Sequence, residues 1–180
     1  NQSVMIWFTA DTHFGHHNII RFANRPFDTV EEMDATLIRN WNDRVHPSDT
    51  IYHLGDFAWP PHKEHDHYWQ QLNGNKHLIL GNHDNPKNAA HFCASVSSTT
   101  YIKRNPHGFF LSHYAHRVWP GSHYGSYHLF GHTHAQLSNL RRSMDVGVDS
   151  NLYAPISMGD VIEKLFDQPF GLALELDQLR

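Results

Sequence analysis

The chain has 180 residues, of which 39% are apolar and 18% are charged, and its formal net charge is −4. This composition is typical of a soluble globular protein and excludes a highly charged disordered chain. The length predicts a single domain over residues 1–180, with enough apolar material to bury a core. The strongest apolar run, residues 4–8, is too short to cross a bilayer, so we expect no membrane partner.

The distribution of cationic residues limits the expected binding partners, and the single cysteine bears on the expected cellular compartment. Lysine and arginine form no run, which argues against duplex nucleic acid as a partner. The single cysteine, Cys93, cannot form an internal disulfide, and no signal-peptide pattern precedes the first apolar run. Both observations favour the cytoplasm. The sequence leaves the oligomeric state open.

In the first half of the chain, short apolar runs alternate with helical patterns, which predicts an α/β fold. Strands are predicted at residues 4–9, 50–54 and 77–80. A helix is predicted over 30–45, because Thr29 and Glu32 have capping-box spacing and apolar residues then recur at every fourth position. A weaker helical pattern covers 62–72.

The second half is richer in predicted strands. The runs 99–103 and 108–111 flank an Asn-Pro-His sequence typical of a hairpin connection. Further strands are predicted at residues 128–130, 144–148 and 172–176. A last helix is expected from Ser157 to about residue 166, since Asp160 follows the serine at capping distance.

Histidine is unusually frequent, with 18 among 180 residues, and it is the commonest metal ligand in proteins. Five apolar runs end in polar clusters that contain His, Asp or Asn, at Asp11, Asp56, Asn82, His113 and His132. In α/β proteins, ligands bind beyond the carboxyl ends of the strands, where loops converge. A random scatter of histidines would not fall repeatedly at strand ends, so the pattern predicts a site there.

The clusters differ in how strongly each indicates metal. The D-T-H sequence that begins at Asp11 and the G-D that ends at Asp56 are common turns and weak indications on their own. The G-N-H-D turn at residues 81–84 offers an amide, an imidazole and a carboxylate, although an ordinary Asx turn would look the same. Two imidazoles in the G-H-T-H turn at residues 131–134 are the strongest single indication.

Taken in order, D-x-H, G-D, G-N-H-D, a single His and G-H-x-H resemble the motifs of the calcineurin-like metallophosphoesterase superfamily. The match runs from Asp11 to His134, about two thirds of the chain. The segments 11–28 and 111–114 resemble its small bacterial and phage members, whereas Ala115 replaces a proline that those members often carry. The resemblance implies a four-layer α/β/β/α sandwich of two mixed sheets, with two metal ions at the strand ends.

The resemblance also implies a ligand set and catalytic residues. The first ion would be held by Asp11, His13, Asp56 and His134. The second ion would be held by Asp56, Asn82, His113 and His132. For the single-histidine ligand, His113 competes with four other histidines: His107, His116, His123 and His128. His83 would stabilise charge and protonate the leaving oxygen, and Asp84 would orient it.

These ligand types indicate which metals would bind. Carboxylate, amide and imidazole ligands suit manganese, iron, zinc, cobalt or nickel, and the absence of cysteine ligands argues against a structural zinc site. Two divalent transition-metal ions are therefore expected, with manganese first among them. Two ions roughly 3.5–4 Å apart activate a water and hold phosphate oxygens.

The interpretation that follows is a metal-dependent phosphoesterase that hydrolyses a phosphodiester, with a small phosphoester as substrate and a nucleotide as one candidate. A phosphomonoesterase, a single-strand nuclease and a non-catalytic metal-binding scaffold of the same fold stay open as alternatives. Arg25 is a candidate phosphate contact, although an exposed arginine is more often simply solvated. Trp59, Trp119 and Tyr124 could stack on a base, although packing explains each of them more simply.

Overall fold

The computed structural model describes residues 3–170 of the chain. In this range the strands are β1 (Ile6–Thr9), β2 (Thr50–His53), β3 (Asn75–Ile79), β4 (Ser95–Ser97), β5 (Thr99–Arg104), β6 (His107–Ser112), β7 (Tyr127–Phe130), β8 (Ser143–Asp145) and β9 (Ile156–Ser157). The helices are α1 (Ile19–Phe22), α2 (Val30–Arg44), α3 (Asp66–Gln71), α4 (Pro86–Ala89) and α5 (Met158–Leu165). Single 3-10 turns lie at Ser122–Tyr124 and Val148–Ser150. None of the described helices has the length and apolar character needed to span a bilayer.

The strands form two mixed sheets. The first has the order β4-β3-β2-β1-β9, in which β1 to β4 are parallel neighbours and β9 runs antiparallel to β1. The second has the order β5-β6-β7-β8, in which the β5–β6 hairpin is antiparallel and β6, β7 and β8 are parallel. The predicted α/β fold with two mixed sheets is confirmed.

The alternation of side chains along β1 shows how the sheets are arranged. Ile6 and Phe8 point into a core that they share with Phe109 and Leu111 of β6, so this core lies between the two sheets. Trp7 points the other way, into a second core beneath the helices. A strand that is buried on both faces reads as a continuous apolar run, which is why the sequence pattern of β1 does not alternate.

Helix α2 covers the outer face of the first sheet. Its N-terminus is capped as predicted, with the Thr29 hydroxyl accepting a hydrogen bond from the Glu32 amide at 3.1 Å. The stripe that repeats at every fourth position is fully buried and consists of Met33, Leu37, Trp41 and Val45. It packs against Ile51 and Leu78 of the sheet. Each such side chain contributes about 1.5–3 kcal/mol on burial, so this stripe anchors the helical layer.

The outer face of the second sheet is covered differently. The ring of His128, in β7, lies 5.3 Å from the rings of Phe110 and Trp119, and Trp119 belongs to the loop that precedes β7. Helix α5 instead inserts Val161 and Leu165 into the core between the sheets. Within the described residues, the layer outside the second sheet is therefore this loop with its 3-10 turn rather than a long helix.

Most of the predicted elements are present, with boundaries that differ by a few residues. The hairpin is confirmed, and Ser157 caps α5 by accepting a hydrogen bond from the Asp160 amide at 3.0 Å. The strand predicted at 144–148 ends at Asp145, because the chain then leaves the second sheet. The Val148 amide instead donates a hydrogen bond to the carbonyl of Ala10. The strand expected at 172–176 lies outside the described residues.

The predicted helix at 62–72 is shorter than expected and consists of α3 alone. Two consecutive prolines, Pro60 and Pro61, precede it. The ring Nε2 of His65 lies 2.8 Å from the carbonyl oxygen of Pro60, so the chain turns back on itself before the helix begins. The short elements α1, α4, β4 and β9 were not expected, because two to four residues carry no periodic signal.

Candidate metal centre

The loops that leave the strands at one end of the sandwich are joined to each other by backbone hydrogen bonds. The amide of Asp11, after β1, donates to Gly55 at 2.9 Å, and the amide of His13 donates to Asp56 at 3.1 Å. In the second sheet, Gly131 donates to His113 at 3.0 Å. Since parallel strands present their carboxyl ends at one edge, residues far apart in sequence meet here.

The predicted ligands form two groups at this edge. In the first group, the nitrogen and oxygen donor atoms lie within 4.8 Å of one another on Asp11, His13 and His134. The second group meets the same criterion with Asp56, His113 and His132. Asn82 joins the second group, with its Oδ1 3.2 Å from the Nε2 of His113. All seven side chains are thus brought together.

Asp56 lies between the two groups. Its Oδ2 is 3.6 Å from Nε2 of His13, which belongs to the first group. The same oxygen is 3.4 Å from Nε2 of His113, which belongs to the second. A carboxylate in this position can contribute to both groups, as a bridging ligand must.

Two buried donor atoms of the first group have no hydrogen-bond partner among the described residues. These atoms are Oδ1 of Asp11 and Nε2 of His13. A buried carboxylate oxygen and a buried ring nitrogen without partners cost free energy, so such atoms are rare in folded proteins. A cation bound by both would supply the missing interaction, and the donor set therefore fits a metal ion.

The protonation of these groups follows from their surroundings. Burial raises the pKa of the Asp11 carboxyl to about 7 and lowers the pKa of His13 well below its usual range. Burial also acts on Asp56, but the hydrogen bond and charge of His113 outweigh it and hold the pKa of Asp56 well below normal. A divalent ion would bind the deprotonated forms of all three.

The backbone is left-handed at most of the predicted ligands. Ten non-glycine residues among 3–170 have a positive φ angle, and five of them are Asp11, His13, Asp56, His132 and His134. This conformation costs a residue with a side chain about 1–3 kcal/mol, and it persists only where the surrounding structure enforces it. Its concentration at the ligands indicates that the joined loops, rather than local preference, fix the direction of these side chains.

The glycines of the motifs are required by close packing around the carboxylates. A Cβ atom at Gly131 would lie 2.6 Å from Oδ2 of Asp11. A Cβ atom at Gly81 would collide with Oδ1 of Asp56. These glycines therefore allow a neighbouring strand end to approach each carboxylate, which explains why they precede the Asn and His ligands in the sequence.

Asp84 differs from its predicted role. Its carboxylate accepts hydrogen bonds from three backbone amides, those of Gly81, Asp56 and Phe57, at 2.7 to 2.9 Å. None of its described contacts is with the ring of His83. Asp84 therefore holds the turn that carries Asp56 against the turn that carries Asn82, and it does not orient the His83 imidazole.

His83 lies beside both groups without joining either. Its backbone amide donates to Oδ1 of Asp56 at 2.9 Å, which fixes its place in the turn. Its half-exposed ring lies 5.8 Å from the His13 ring and 5.1 Å from the Trp59 ring, edge-on to both. The side chain can thus reach a molecule bound at the ligands while it remains in contact with solvent.

Arg25 is buried and does not line the cleft, so it is neither a phosphate contact nor an exposed, solvated arginine. Its guanidinium pairs with Asp149 through two hydrogen bonds of 2.9 and 3.0 Å. It also donates to the backbone carbonyls of Asp11 and Thr12. The arginine therefore holds the loop that follows β1 in place. Its hydrogen bonds to this loop and to Asp149 leave it unable to bind a substrate.

Asp149 belongs to the candidate site, and the sequence did not reveal it. Its Oδ2 lies 2.7 Å from Nδ1 of His134, so the carboxylate orients the ring of a predicted ligand. Burial lowers the pKa of His134, but the hydrogen bond to Asp149 outweighs it and the pKa is raised. Asp149 is 124 residues from Arg25 in sequence, and no local pattern predicts such a pair.

Of the histidines that competed for the single ligand position, only His113 joins the described groups. His128 points to the opposite face of the second sheet, where Nε2 accepts a hydrogen bond from the His116 amide and Nδ1 lies 3.1 Å from the Phe110 carbonyl. His107 lies 3.5 Å from the hydroxyl of Tyr127. The competing residues therefore have other positions in the fold.

An open cleft of about 520 Å³ lies over the two groups. Trp59 lines this cleft, whereas Trp119 is buried and donates its ring N–H to Ser126. Tyr124 is 93% exposed and does not line the cleft. Of the aromatic residues singled out in the sequence, Trp59 alone could therefore contact a molecule bound in this cleft.

The chain is similar to an uncharacterized protein, MJ1445, of Methanocaldococcus jannaschii. The two are 35% identical over 172 residues, which cover 91% of this chain and 92% of the relative. A shorter similarity, 42% identity over 83 residues, links it to the gene 66 protein of Mycobacterium phage L5 and covers 44% of this chain and 40% of that protein. No protein-family model matches the chain.

Among solved structures, a protein of unknown function from Aquifex aeolicus, AQ665, has a similar fold. Its TM-score is 0.72 at 23% sequence identity, and the comparison covers 91% of this chain and all of AQ665. A protein described as a novel archaeal phosphodiesterase gives a TM-score of 0.45 at 18% identity, over 80% of this chain and 82% of that one. At these identities, similarity of structure concerns the fold and not the reaction.

Proposed function

Because this chain belongs to the calcineurin-like metallophosphoesterase superfamily, we propose that it is a metal-dependent hydrolase that cleaves a phosphodiester with two divalent ions. The observation that carries the proposal is the position of Asp56, within 3.6 Å of a ligand atom in each of two adjacent donor groups. A binding scaffold of the same fold would not need two complete groups with a shared carboxylate.

The ligands divide between two ions. We assign the first ion to Asp11, His13, Asp56 and His134. We assign the second to Asp56, Asn82, His113 and His132. The division is supported by the two groups of donor atoms and by the unpartnered atoms of Asp11 and His13. With carboxylate, amide and imidazole ligands and no cysteine, manganese is the metal we expect, ahead of iron, zinc, cobalt and nickel.

When bound, the ions supply Lewis-acid activation of a water molecule and of the phosphoryl oxygens. The two ligand carboxylates, Asp11 and Asp56, carry −2 against +4, so the centre keeps a positive charge that attracts an anionic ester. The protein holds the ligands in fixed positions. Backbone hydrogen bonds join the loops that carry them, and the Asp84 carboxylate accepts hydrogen bonds from amides of two of these loops.

His83 donates a proton to the leaving oxygen in this proposal. Its ring borders the cleft and lies next to both donor groups, yet the other ligand assignments leave it free of metal. General acid catalysis from such a position contributes roughly 10²–10⁴-fold in rate. Asp84 acts as a positioning residue for Asp56 rather than as a partner of the His83 ring.

The lining of the cleft favours a diester over a monoester. No lysine or arginine is among the described residues that line it, and Arg25 is buried in its pair with Asp149. A monoester dianion brings two negative charges, for which the cleft offers no lysine or arginine beside the metal centre and His83, whereas a diester brings only one. The remaining expectations, a small phosphoester or nucleotide as substrate, a single domain and a cytoplasmic location, are part of the same proposal.

Hydrolysis by the manganese-reconstituted chain tests the proposal. We expect bis-(p-nitrophenyl) phosphate to be cleaved with a higher kcat/KM than p-nitrophenyl phosphate, and the activity to disappear on chelation and return with metal. Asp56→Asn should abolish it, whereas the matched change of an exposed aspartate, Asp167→Asn, should not. Preference for the monoester would indicate a phosphomonoesterase, and cleavage of single-stranded oligonucleotides alone would indicate a nuclease. Failure to cleave any ester with two ions bound would indicate a scaffold.

A further inference from the structure

We infer that the cleft over the metal centre binds a nucleobase, which stacks on the exposed ring of Phe22. The inference rests on the proposed function, since it concerns the part of the phosphoester that extends away from the reacting phosphorus. It names the chemical class of that part and the residue that selects it.

Phe22 is the large apolar side chain that helix α1 leaves in solvent. Ile19, in the same helix, is 4% exposed and belongs to the core, whereas Phe22 is 61% exposed and lines the same cleft as the ligands. The guanidinium of Arg21 lies 5.3 Å from the centre of the Phe22 ring, within cation–π distance. The ring thus borders the cleft, and although Arg21 lies over it, more than half of the side chain is open to solvent.

A second aromatic surface lies in the same cleft. The rings of Trp59 and His16 stack at 4.8 Å with an angle of 19°, and both side chains line the cleft. Nδ1 of His16 lies 3.1 Å from Nδ1 of His13, which joins this stack to a predicted ligand. An aromatic group that extends into the cleft from a phosphate at the metal centre would therefore meet flat aromatic surfaces.

The polar groups of the rim fit the edge of a base. Apart from the predicted ligands and histidines, the polar side chains that line the cleft are two exposed carboxamides, Asn18 and Gln136. Asparagine and glutamine offer a donor and an acceptor side by side, as the edges of bases do. Outside the ligands, no carboxylate, lysine or arginine lines the cleft within the described residues, which disfavours a second phosphate or an ammonium group.

These features together select one class of substituent. It is flat, uncharged and large enough to stack on Phe22, and it carries hydrogen-bonding groups at its edge. A sugar lacks the flat face, and a lipid chain lacks the polar edge. A nucleobase has both, and stacking of a base on an aromatic side chain changes affinity by roughly 5–150-fold.

Calorimetric titration of the manganese-loaded chain tests this with a matched pair of ligands. Adenosine 5′-monophosphate and ribose 5-phosphate share the phosphate and the sugar and differ by the base. We expect the nucleotide to bind more tightly. Phe22→Ala should reduce its affinity roughly 5–150-fold while the affinity for ribose 5-phosphate stays within twofold. Phe22→Tyr, which keeps the ring, should retain the preference.

Tyr124→Ala removes an exposed aromatic ring away from the cleft and should change neither affinity. Equal affinities of the two ligands for the unsubstituted chain, or an equal loss of both in Phe22→Ala, would overturn the inference. The proposed function is judged separately, by hydrolysis. A chain that prefers the nucleotide but cleaves no ester would refute the function alone, and one that cleaves diesters without base preference would refute the inference alone.

Discussion

The carboxylate of Asp149 lies 2.7 Å from Nδ1 of His134, so the opposite nitrogen of that ring, Nε2, is left for the metal centre. A carboxylate that accepts from one nitrogen of a ligating imidazole fixes the tautomer and the direction of the ring and increases the basicity of the other nitrogen. Asp149 is itself held by two hydrogen bonds from Arg25. Two charged side chains, Arg25 and Asp149, thus support one proposed ligand of the first ion.

The first prediction concerns this support. Asp149→Asn should weaken binding of one ion by about 10–100-fold, because His134 loses its anionic partner, and should leave the other ion bound. Titration of the metal-free protein with manganese measures both affinities.

Circular dichroism must show that the variant is folded, since Arg25 also loses its partner. The matched variant Asp167→Asn, at an exposed position, should bind both ions normally. Unchanged affinities in folded Asp149→Asn would show that Asp149 does not act through His134.

The second prediction concerns the shared ligand. Asp56→Asn should weaken both metal sites together, because the substitution removes the charge and lowers the basicity of the carboxylate between the two groups. His134→Ala should affect mainly the first ion, and excess metal should restore part of the activity.

Elemental analysis of the reconstituted protein measures the stoichiometry, which we expect to be two ions per chain in the unsubstituted protein. The assignment of Asp56 as the bridge is wrong if Asp56→Asn keeps two ions and full activity. A stoichiometry of one in the unsubstituted, folded protein would contradict the two-metal centre itself.

The third prediction separates His83 from the ligands. His83→Ala should keep both ions but lose far more rate on an ester with an alkoxide leaving group than on a nitrophenyl ester, which leaves without a proton. The expected difference is up to about 10²–10⁴-fold, or roughly 3–5 kcal/mol of barrier.

Parallel kinetics on the two esters, with metal content measured on the same samples, check this prediction. Equal losses on both esters would assign His83 to charge stabilisation or positioning. Loss of an ion would make His83 a ligand.

The fourth prediction concerns stability and pH at a place remote from the metal centre. Asp49 accepts hydrogen bonds from the amides of Met5 and His46 and from the ring N–H of Trp7, at 2.9 to 3.0 Å. Burial raises the pKa of Asp49, but these hydrogen bonds outweigh it and the pKa is lowered on folding. The stabilisation is therefore complete above the unfolded pKa of about 3.9 and is lost as the pH falls through the lower folded value.

Asp49→Asn should reduce the free energy of unfolding by about 1–2 kcal/mol at pH 7, and the difference from the unsubstituted protein should shrink below pH 4. Urea unfolding at several pH values measures it. Asp43→Asn, at an exposed position of α2, is the control and should show no such trend. A difference that stayed constant with pH would argue that the charge of Asp49 does not contribute.

The clustering of the candidate ligands could be predicted from sequence, because strand geometry determines where such residues meet. An apolar run followed by Asp11, Asp56 or His132 indicates both the end of a strand and a side chain that can bind metal. Parallel strands bring such ends together at one edge of the sheet. The bridging role of Asp56 is predicted only by the resemblance to the family, and the distances from Asp56 to the two donor groups support it.

Other parts of the site could not be predicted, for physical reasons. The buried pair of Arg25 and Asp149 forms across 124 residues, and a lone arginine or aspartate has no local signature. Asp84 was assigned to His83 because the two are adjacent in sequence. Adjacent residues in a turn point in different directions, however, and the Asp84 carboxylate reaches backbone amides instead.

The left-handed backbone at five proposed ligands determines which inactive variants of this protein can be made without loss of its fold. Asparagine and aspartate tolerate that conformation better than other residues with side chains, and β-branched residues tolerate it worst. Asparagine would remove the negative charge at Asp11 or Asp56, and the imidazole at His132, while keeping a backbone conformation that the loops accept. Valine or threonine at the same positions would also destabilise the loops in which these residues lie. A folded variant that binds substrate without cleaving it is therefore best made with asparagine.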